Sequence, residues 1–132
     1  MVLLDTNILA AIYNQEVQVK NRLFNEEPSS ICTSIFCVTE TWYGIKLKAD
    51  SHKKRNLDVF FNDFFQNIFI FNYEREAMNI FTDLKVKCKQ SGKIIEDNDL
   101  YIAATALANE CTLITRNVRH FENIEDLQIE AW

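Results

Sequence analysis

The sequence predicts an α/β protein, a three-layer α/β/α sandwich around a central, mostly parallel sheet of about five strands. Three observations carry this expectation. Short continuous apolar runs alternate with segments whose apolar residues recur every three to four positions, and strands separated by helices pair in parallel. Only 2 Gly and 1 Pro occur in 132 residues, too few for the many tight turns of an all-β fold. The composition, 48% hydrophobic and 25% charged, is that of a soluble globular chain. At this length roughly two thirds of the unfolded surface is buried on folding, enough for one core, so a single domain over residues 1–132 is expected.

Val2 to Asp5 reads as a short strand, and Thr6 or Asn7 can cap the helix that follows through a side-chain oxygen. Ser30 to Ser34 has strand character, and Val38 to Leu47 looks helical, with Glu40, Tyr43, Gly44 and Leu47 on neighbouring faces. Leu57, Phe60, Phe61, Phe64 and Phe65 recur at amphipathic-helix spacing. The apolar run Ile68 to Phe71 then marks a third strand, and the phenylalanines from Phe60 to Phe71 are core or interface material. Glu74 to Lys89 places Ala77, Ile80, Phe81, Leu84 and Cys88 on one side and stops at Gly92. A helix from Asp97 buries Leu100, Ala103, Ala104, Leu107 and Ala108, and Thr112 to Thr115 and Leu127 to Ile129 supply two last strands. No repeat or low-complexity segment interrupts the series.

Several function classes drop out. No apolar stretch approaches the about 20 residues that cross a bilayer, and no basic region precedes the first hydrophobic run, so a cytoplasmic protein is expected. Cys32, Cys37, Cys88 and Cys111 lack both CxxC spacing and histidine companions, which disfavours zinc and fits buried free thiols. The net charge of -5 argues against indiscriminate nucleic-acid binding. Its distribution is uneven: Lys46, Lys48, Lys53, Lys54 and Arg55 stand against Asp50 alone, Lys85, Lys87, Lys89 and Lys93 form a second basic stretch, and Glu122 to Glu130 is acidic. Solvated helix surface is the plain explanation for such runs.

Asp5 puts a carboxylate at the tip of a buried strand, a costly placement unless the charge is used or compensated. Ligands of parallel α/β sheets bind at the carboxyl ends of the strands, and Asn117 follows the fourth strand there, while a helical turn can return Glu40 to the same edge. Asp99 falls in the first turn of its helix if Asp97 or Asn98 is the N-cap, where the helix dipole favours an anion. Three carboxylates brought together force one to take up a proton unless a cation neutralises them, and all-oxygen ligands suit Mg²⁺ or Mn²⁺. A metal so placed hydrolyses phosphodiesters. No serine, cysteine or histidine has a competing triad context, and His52 and His120 read as surface residues.

Leu4-Asp5-Thr6-Asn7, Glu40 with Tyr43-Gly44, Asp99-Leu100-Tyr101-Ile102-Ala103-Ala104, Thr115-Arg116-Asn117 leading to His120-Phe121, and Trp132 after the last strand together resemble the PIN-domain ribonucleases, in particular the VapC toxins of bacterial toxin–antitoxin pairs. The resemblance implies that Asp5, Glu40 and Asp99 coordinate the metal, that Thr6 and Asn7 orient the first acid, and that Thr115 and Asn117 belong to the loop closing the site. It departs from many PIN domains at Asn117, neutral where a fourth acid is common, which puts a second metal in doubt. It further implies RNA as substrate, a VapB-like antitoxin that ties the toxin to operator DNA, a homodimer, and hetero-oligomers with the antitoxin. Arg116, Arg119, Lys53, Lys54 and Arg55 are candidates for RNA contact, with both basic stretches forming a rim. Trp42 and Tyr43 can stack on a base, fill an interface or simply pack.

Two other readings remain. A phosphatase or phosphotransfer domain with nucleophilic Asp5 normally carries a second aspartate two residues on, where this chain has Asn7, and no lysine follows the fourth strand. A non-catalytic module that only docks RNA or protein gains nothing from clustered negative charge.

Overall fold

In the computed structural model, which describes residues 1–132, every strand pairing is parallel. In chain order the elements are β1 Val2–Leu4, α1 Thr6–Tyr13, α2 Val17–Phe24, β2 Ile31–Ser34, α3 Ile35–Lys46, α4 His52–Gln66, β3 Phe69–Phe71, α5 Arg75–Ser91, α6 Asp97–Ala108, β4 Thr112–Ile114, α7 Val118–Phe121 and β5 Ile129–Glu130. A 3₁₀ turn at Pro28–Ser30 leads into β2. The five strands lie in the order β3-β2-β1-β4-β5, so the sheet is wholly rather than mostly parallel. Right-handed crossovers in this order put α1 to α4 on one face and α5 to α7 on the other.

Central β1 needs apolar residues on both faces, and Leu3, Leu4, Leu113 and Ile114 are fully buried. Ile8 and Leu9 of α1 and Ile102, Ala103 and Ala106 of α6 close over them. Ser34 caps α3 by accepting from Cys37 N at 3.1 Å, Ser51 caps α4 by accepting from Lys54 N at 3.2 Å, and Gly92 ends α5 in the left-handed region at φ 69°. No helix is long and apolar enough to cross a membrane.

Some boundaries differ from expectation. The cap of α1 is Asp5 itself, accepting from Thr6 N, not Thr6 or Asn7. The cap position of α6 is Glu96, because Asp97 turns outward to a salt bridge with Lys85 at 2.7 Å. Helix α3 begins at Ile35, three residues before the expected start, and helices α2 and α7 were not foreseen at all. Val19 is the one buried residue of α2, too little apolar patterning to announce a helix. Of the phenylalanines from Phe60 to Phe71, only Phe61 in α4 is buried, while Phe60, Phe64, Phe65 and Phe71 are half-buried and Phe69 on edge strand β3 is exposed. All four cysteines are free, and Cys88 is only half-buried.

Candidate active site

Strand order makes β1 and β4 the pair between which the chain reverses its direction of winding: from β1 it moves outward through β2 to β3, then returns across β1 to β4 and β5. Leu4 is in register with Ile114, which sets the next residues, Asp5 and Thr115, side by side at the carboxyl edge. Thr115 Oγ1 donates to Asp5 Oδ2 at 2.6 Å, Asn7 Nδ2 donates to the same oxygen at 2.7 Å, and Thr6 N donates to Oδ1 at 2.7 Å. Asn7 Nδ2 also reaches Thr115 Oγ1 at 3.2 Å. A carboxylate that is only 5% exposed is thus held by three donors, two from α1 and one from the β4 exit.

Glu40 stands in the second turn of α3 and accepts from Thr6 Oγ1 at 2.5 Å. The residue as a whole is exposed, yet its carboxyl end faces the sheet edge, and that loss of water is the main cause raising its pKa; Asp5 and Asp99 add to the rise, and the Thr6 hydroxyl opposes it. Asp99, in the first turn of α6, is raised chiefly by burial, with Asp5 and Glu96 adding and the His120 contact opposing. The three acids therefore feel one another's charge at one edge of the sheet. Each is nevertheless bonded to its own partner, and as the side chains stand no three His, Cys, Asp or Glu groups gather closely enough around one point to hold an ion. Acceptor capacity remains: Glu40 Oε1 and Asp99 Oδ1 take no hydrogen bond, and Asp5 uses three of the roughly four lone-pair positions of a carboxylate.

His120 is exposed, as the sequence suggested, and its contact at this edge is what sequence reasoning missed. Read there as surface, it places Nδ1 2.9 Å from Asp99 Oδ2. It stands on the short helix α7, and the sequence signal was its place in the motif that runs from Thr115-Arg116-Asn117 to His120-Phe121. Asn117 is exposed at the N-cap of α7; its backbone N–H donates to Thr115 Oγ1 at 3.0 Å, and its side chain makes no hydrogen bond within the chain. Behind Asp5, buried Cys37 points its thiol at Oδ1 over 4.0 Å. Burial and the neighbouring carboxylate push its pKa up to about 12, so it remains a neutral thiol and no nucleophile.

The basic candidates separate. Arg116 is committed inside the chain, with NH1 and NH2 on the Glu16 carboxylate, Nε on Trp132 O at 3.4 Å and its backbone N–H on Asn7 Oδ1 at 3.1 Å. It ties the α1–α2 turn to the β4 exit. Arg55 pairs with Asp50 at 3.1 Å. In the second basic stretch Lys85 pairs with Asp97 and Lys87 with Glu125, while Lys93 donates to the neutral Asn123, so two of its four lysines have their charge matched. Lys53 lines a cleft beside Glu40, Arg119 lines another beside Asp99 and His120, and Lys54 makes no side-chain bond. Trp42 packs edge-on against Phe65 at 6.1 Å, whereas Tyr43 is 65% exposed.

Comparison with known proteins fits this arrangement. The PIN domain family matches residues 2–127. The chain is 31% identical over 131 residues to Ribonuclease VapC2 of Haemophilus influenzae, covering 98% of this chain and 96% of that protein. It is 28% identical to the tRNA(fMet)-specific endonuclease VapC of Shigella flexneri, again over 98% and 96%. Among solved structures, VapBC2 from Rickettsia felis bound to a DNA fragment from their promoter superposes with a TM-score of 0.86 at 29% identity, covering 100% of this chain and 99% of that one.

Proposed function

This chain belongs to the PIN-domain family and is a relative of the VapC ribonucleases, and on that premise we propose that residues 1–132 form one metal-dependent endoribonuclease domain, the toxin of a toxin–antitoxin pair. The observation that carries the reading is Asp5 at the reversal point of the sheet between β1 and β4, with Glu40 tied to the same edge through the Thr6 hydroxyl and Asp99 near enough to feel the Asp5 charge. Neighbouring carboxyls that keep free lone pairs fit a divalent cation, and Asp5, Glu40 and Asp99 would hold it. Bound there, Mg²⁺ or Mn²⁺ would supply an activated water and neutralise charge on the scissile phosphate.

The chain's own residues do the rest. Thr6, Asn7 and Thr115 fix the Asp5 carboxylate so that it need not reorganise when substrate arrives. Asn117, unbonded and exposed, is available to water or a phosphate oxygen, and His120 holds one oxygen of Asp99. The aspartyl-phosphate reading lacks its second aspartate, because Asn7 stands two residues on and donates to Asp5 Oδ2 at 2.7 Å.

The VapBC relatives support a VapB-like antitoxin as the partner, with operator DNA reached through it, and two copies of the chain are expected in the assembly. A cytoplasmic protein is the expectation that goes with this reading. The test is cleavage of bulk tRNA and other structured RNAs by purified protein with Mg²⁺ or Mn²⁺, with a chelator and with Asp5→Ala. Cleavage that needs both the ion and Asp5 is the expected result; cleavage that survives Asp5→Ala would overturn the site assignment.

A further inference from the structure

Between the α5–α6 turn and α7 lies a cleft of about 430 Å³ that has Asp99 in its wall. Two cations line it. Arg119, exposed on α7, enters no hydrogen bond or ion pair within the chain. Lys93 donates to Asn123 Oδ1 at 3.2 Å, a neutral partner, so its charge stays unmatched, and Asn123 Nδ2 is left with no acceptor in the chain. That sets the cleft apart from Lys85, Lys87, Arg55 and Arg116, whose charges already face carboxylates. One acid besides Asp99 lines the cleft, the exposed and unpaired Glu96 at the cap position of α6.

Resting on the ribonuclease reading, we propose that this cleft holds the RNA phosphate that neighbours the scissile one, with Arg119 as its main contact and Lys93 and Asn123 as flanking donors. Three features select this occupant. The guanidinium, the ammonium and the Asn123 amide are all donors that the fold leaves without a charged partner, and a guanidinium fork matches the oxygens of a phosphate. Ile94 and Ile95 are the only apolar residues of the lining, so an apolar anchor finds little here to bury against. Position supplies the third. His120, the residue after Arg119, is bonded to Asp99 at 2.9 Å, which holds this part of α7 against the metal acid. A strand whose scissile phosphate lies at Asp99 therefore carries its next phosphate into the cleft that Asp99 helps to form. With Asp99 engaged by the ion, Lys93 and Arg119 stand against Glu96 alone, and that excess of positive charge draws a polyanion past the acidic centre.

Neutral linkages in the substrate provide the test. The RNA cut site is first mapped in bulk tRNA, and a short oligonucleotide carrying it is then made with a methylphosphonate at each flanking linkage in turn, which removes one phosphate charge at a time. In the wild type, one linkage beside the cut should lose about tenfold in kcat/KM, the low end for a hydrogen bond to a charged group because the cleft is open to water. Arg119→Ala should cut the native oligonucleotide about tenfold less efficiently and be indifferent to that methylphosphonate. Its melting should match wild type, since the Arg119 side chain bonds nothing within the chain. Lys93→Ala should repeat the pattern with a smaller loss, and Glu96→Gln, which removes the opposing charge, should lower KM. A wild type indifferent to every flanking methylphosphonate would overturn the proposal. So would losses that multiply when Arg119→Ala meets the sensitive linkage, or a raised KM in Glu96→Gln. An Arg119→Ala defect confined to antitoxin binding would also overturn it and give the cleft to the protein partner. Failure of the wild type to cut any RNA would instead sink the ribonuclease reading, and needs no variant to be seen.

Discussion

Thr115→Val isolates the cradle that holds Asp5. The two side chains have nearly the same shape, so the fully buried site keeps its packing, but the hydroxyl that donates to Asp5 Oδ2 at 2.6 Å and accepts from Asn7 Nδ2 at 3.2 Å and Asn117 N at 3.0 Å is gone. A hydrogen bond to a charged group contributes about 1.5–3 kcal/mol. The two accepted bonds come from partly solvated groups that water can partly serve, adding about 0.5 kcal/mol each at the low end of neutral bonds. The expected destabilisation is therefore about 2.5–4 kcal/mol. Thr115→Ser is the control: it keeps all three bonds and loses one methyl, about 1 kcal/mol. Thermal unfolding followed by circular dichroism, with a chelator present, should rank wild type, Ser and Val in that order. At roughly 4 °C per kcal/mol for a chain of this size, Val should melt about 10–16 °C below wild type. RNA cleavage should drop at least tenfold in Val and only a few-fold in Ser. Equal melting of the Val and Ser variants would show that the hydroxyl does not carry the cradle, and undiminished cleavage by Val would show that Asp5 needs no such support.

Glu40 and Asp99 predict a pH dependence. Their carboxyls are raised in the folded protein, first by burial and then by neighbouring acids, so the folded state binds those protons more tightly than the unfolded chain. That stabilisation is full below the unfolded values of about 4.3 and 3.9 and is lost as pH rises through the raised folded values. Glu40→Gln and Asp99→Asn should hence resist urea better than wild type at pH 7 without divalent ions, and lose the advantage near pH 4; an advantage that persisted at low pH would place its origin elsewhere. Glu16→Gln frees Arg116 from its carboxylate partner. If Arg116 is a clamp, Glu16→Gln and Arg116→Ala should lower the melting temperature alike and leave the KM for RNA unmoved, whereas tighter RNA binding by Glu16→Gln would mark Arg116 as a phosphate contact held in reserve. Trp132→Ala should cost about 3–5 kcal/mol in chemical denaturation, because the indole is 5% exposed and large aromatic truncations in a core carry that cost. Its buried Nε1 lacks a partner, so Trp132→Phe should recover most of the loss; a Phe variant no better than Ala would point to an unseen bond at that nitrogen.

Much of the site was legible from local pattern. Asp5 at the end of an apolar run, Glu40 six residues past a strand, and Asp99 in the first turn of a helix are each fixed by a period of two or of 3.6 and by a stop such as Gly92. Those signals act over a few residues, so they survive without knowledge of the rest of the chain. They fail where local pattern is thin: Val19 alone is buried in α2, and four-residue α7 has no period to read.

What the sequence by itself determined is the alternation of elements, the parallel sheet they imply, and the three acids placed at its carboxyl edge. The tertiary structure alone decided which groups touch. Register between β1 and β4 put the Thr115 hydroxyl on Asp5 across 110 residues, the turn into α7 laid His120 on Asp99, and the packing of α1 against the β4 exit claimed Arg116 for Glu16. The physical reason is that residue spacing sets the face and the end of an element on which a side chain stands, whereas a hydrogen bond of about 3 Å depends on how strands slide and helices seat against one another. That is settled by the whole core at once, and no short stretch of the chain contains it.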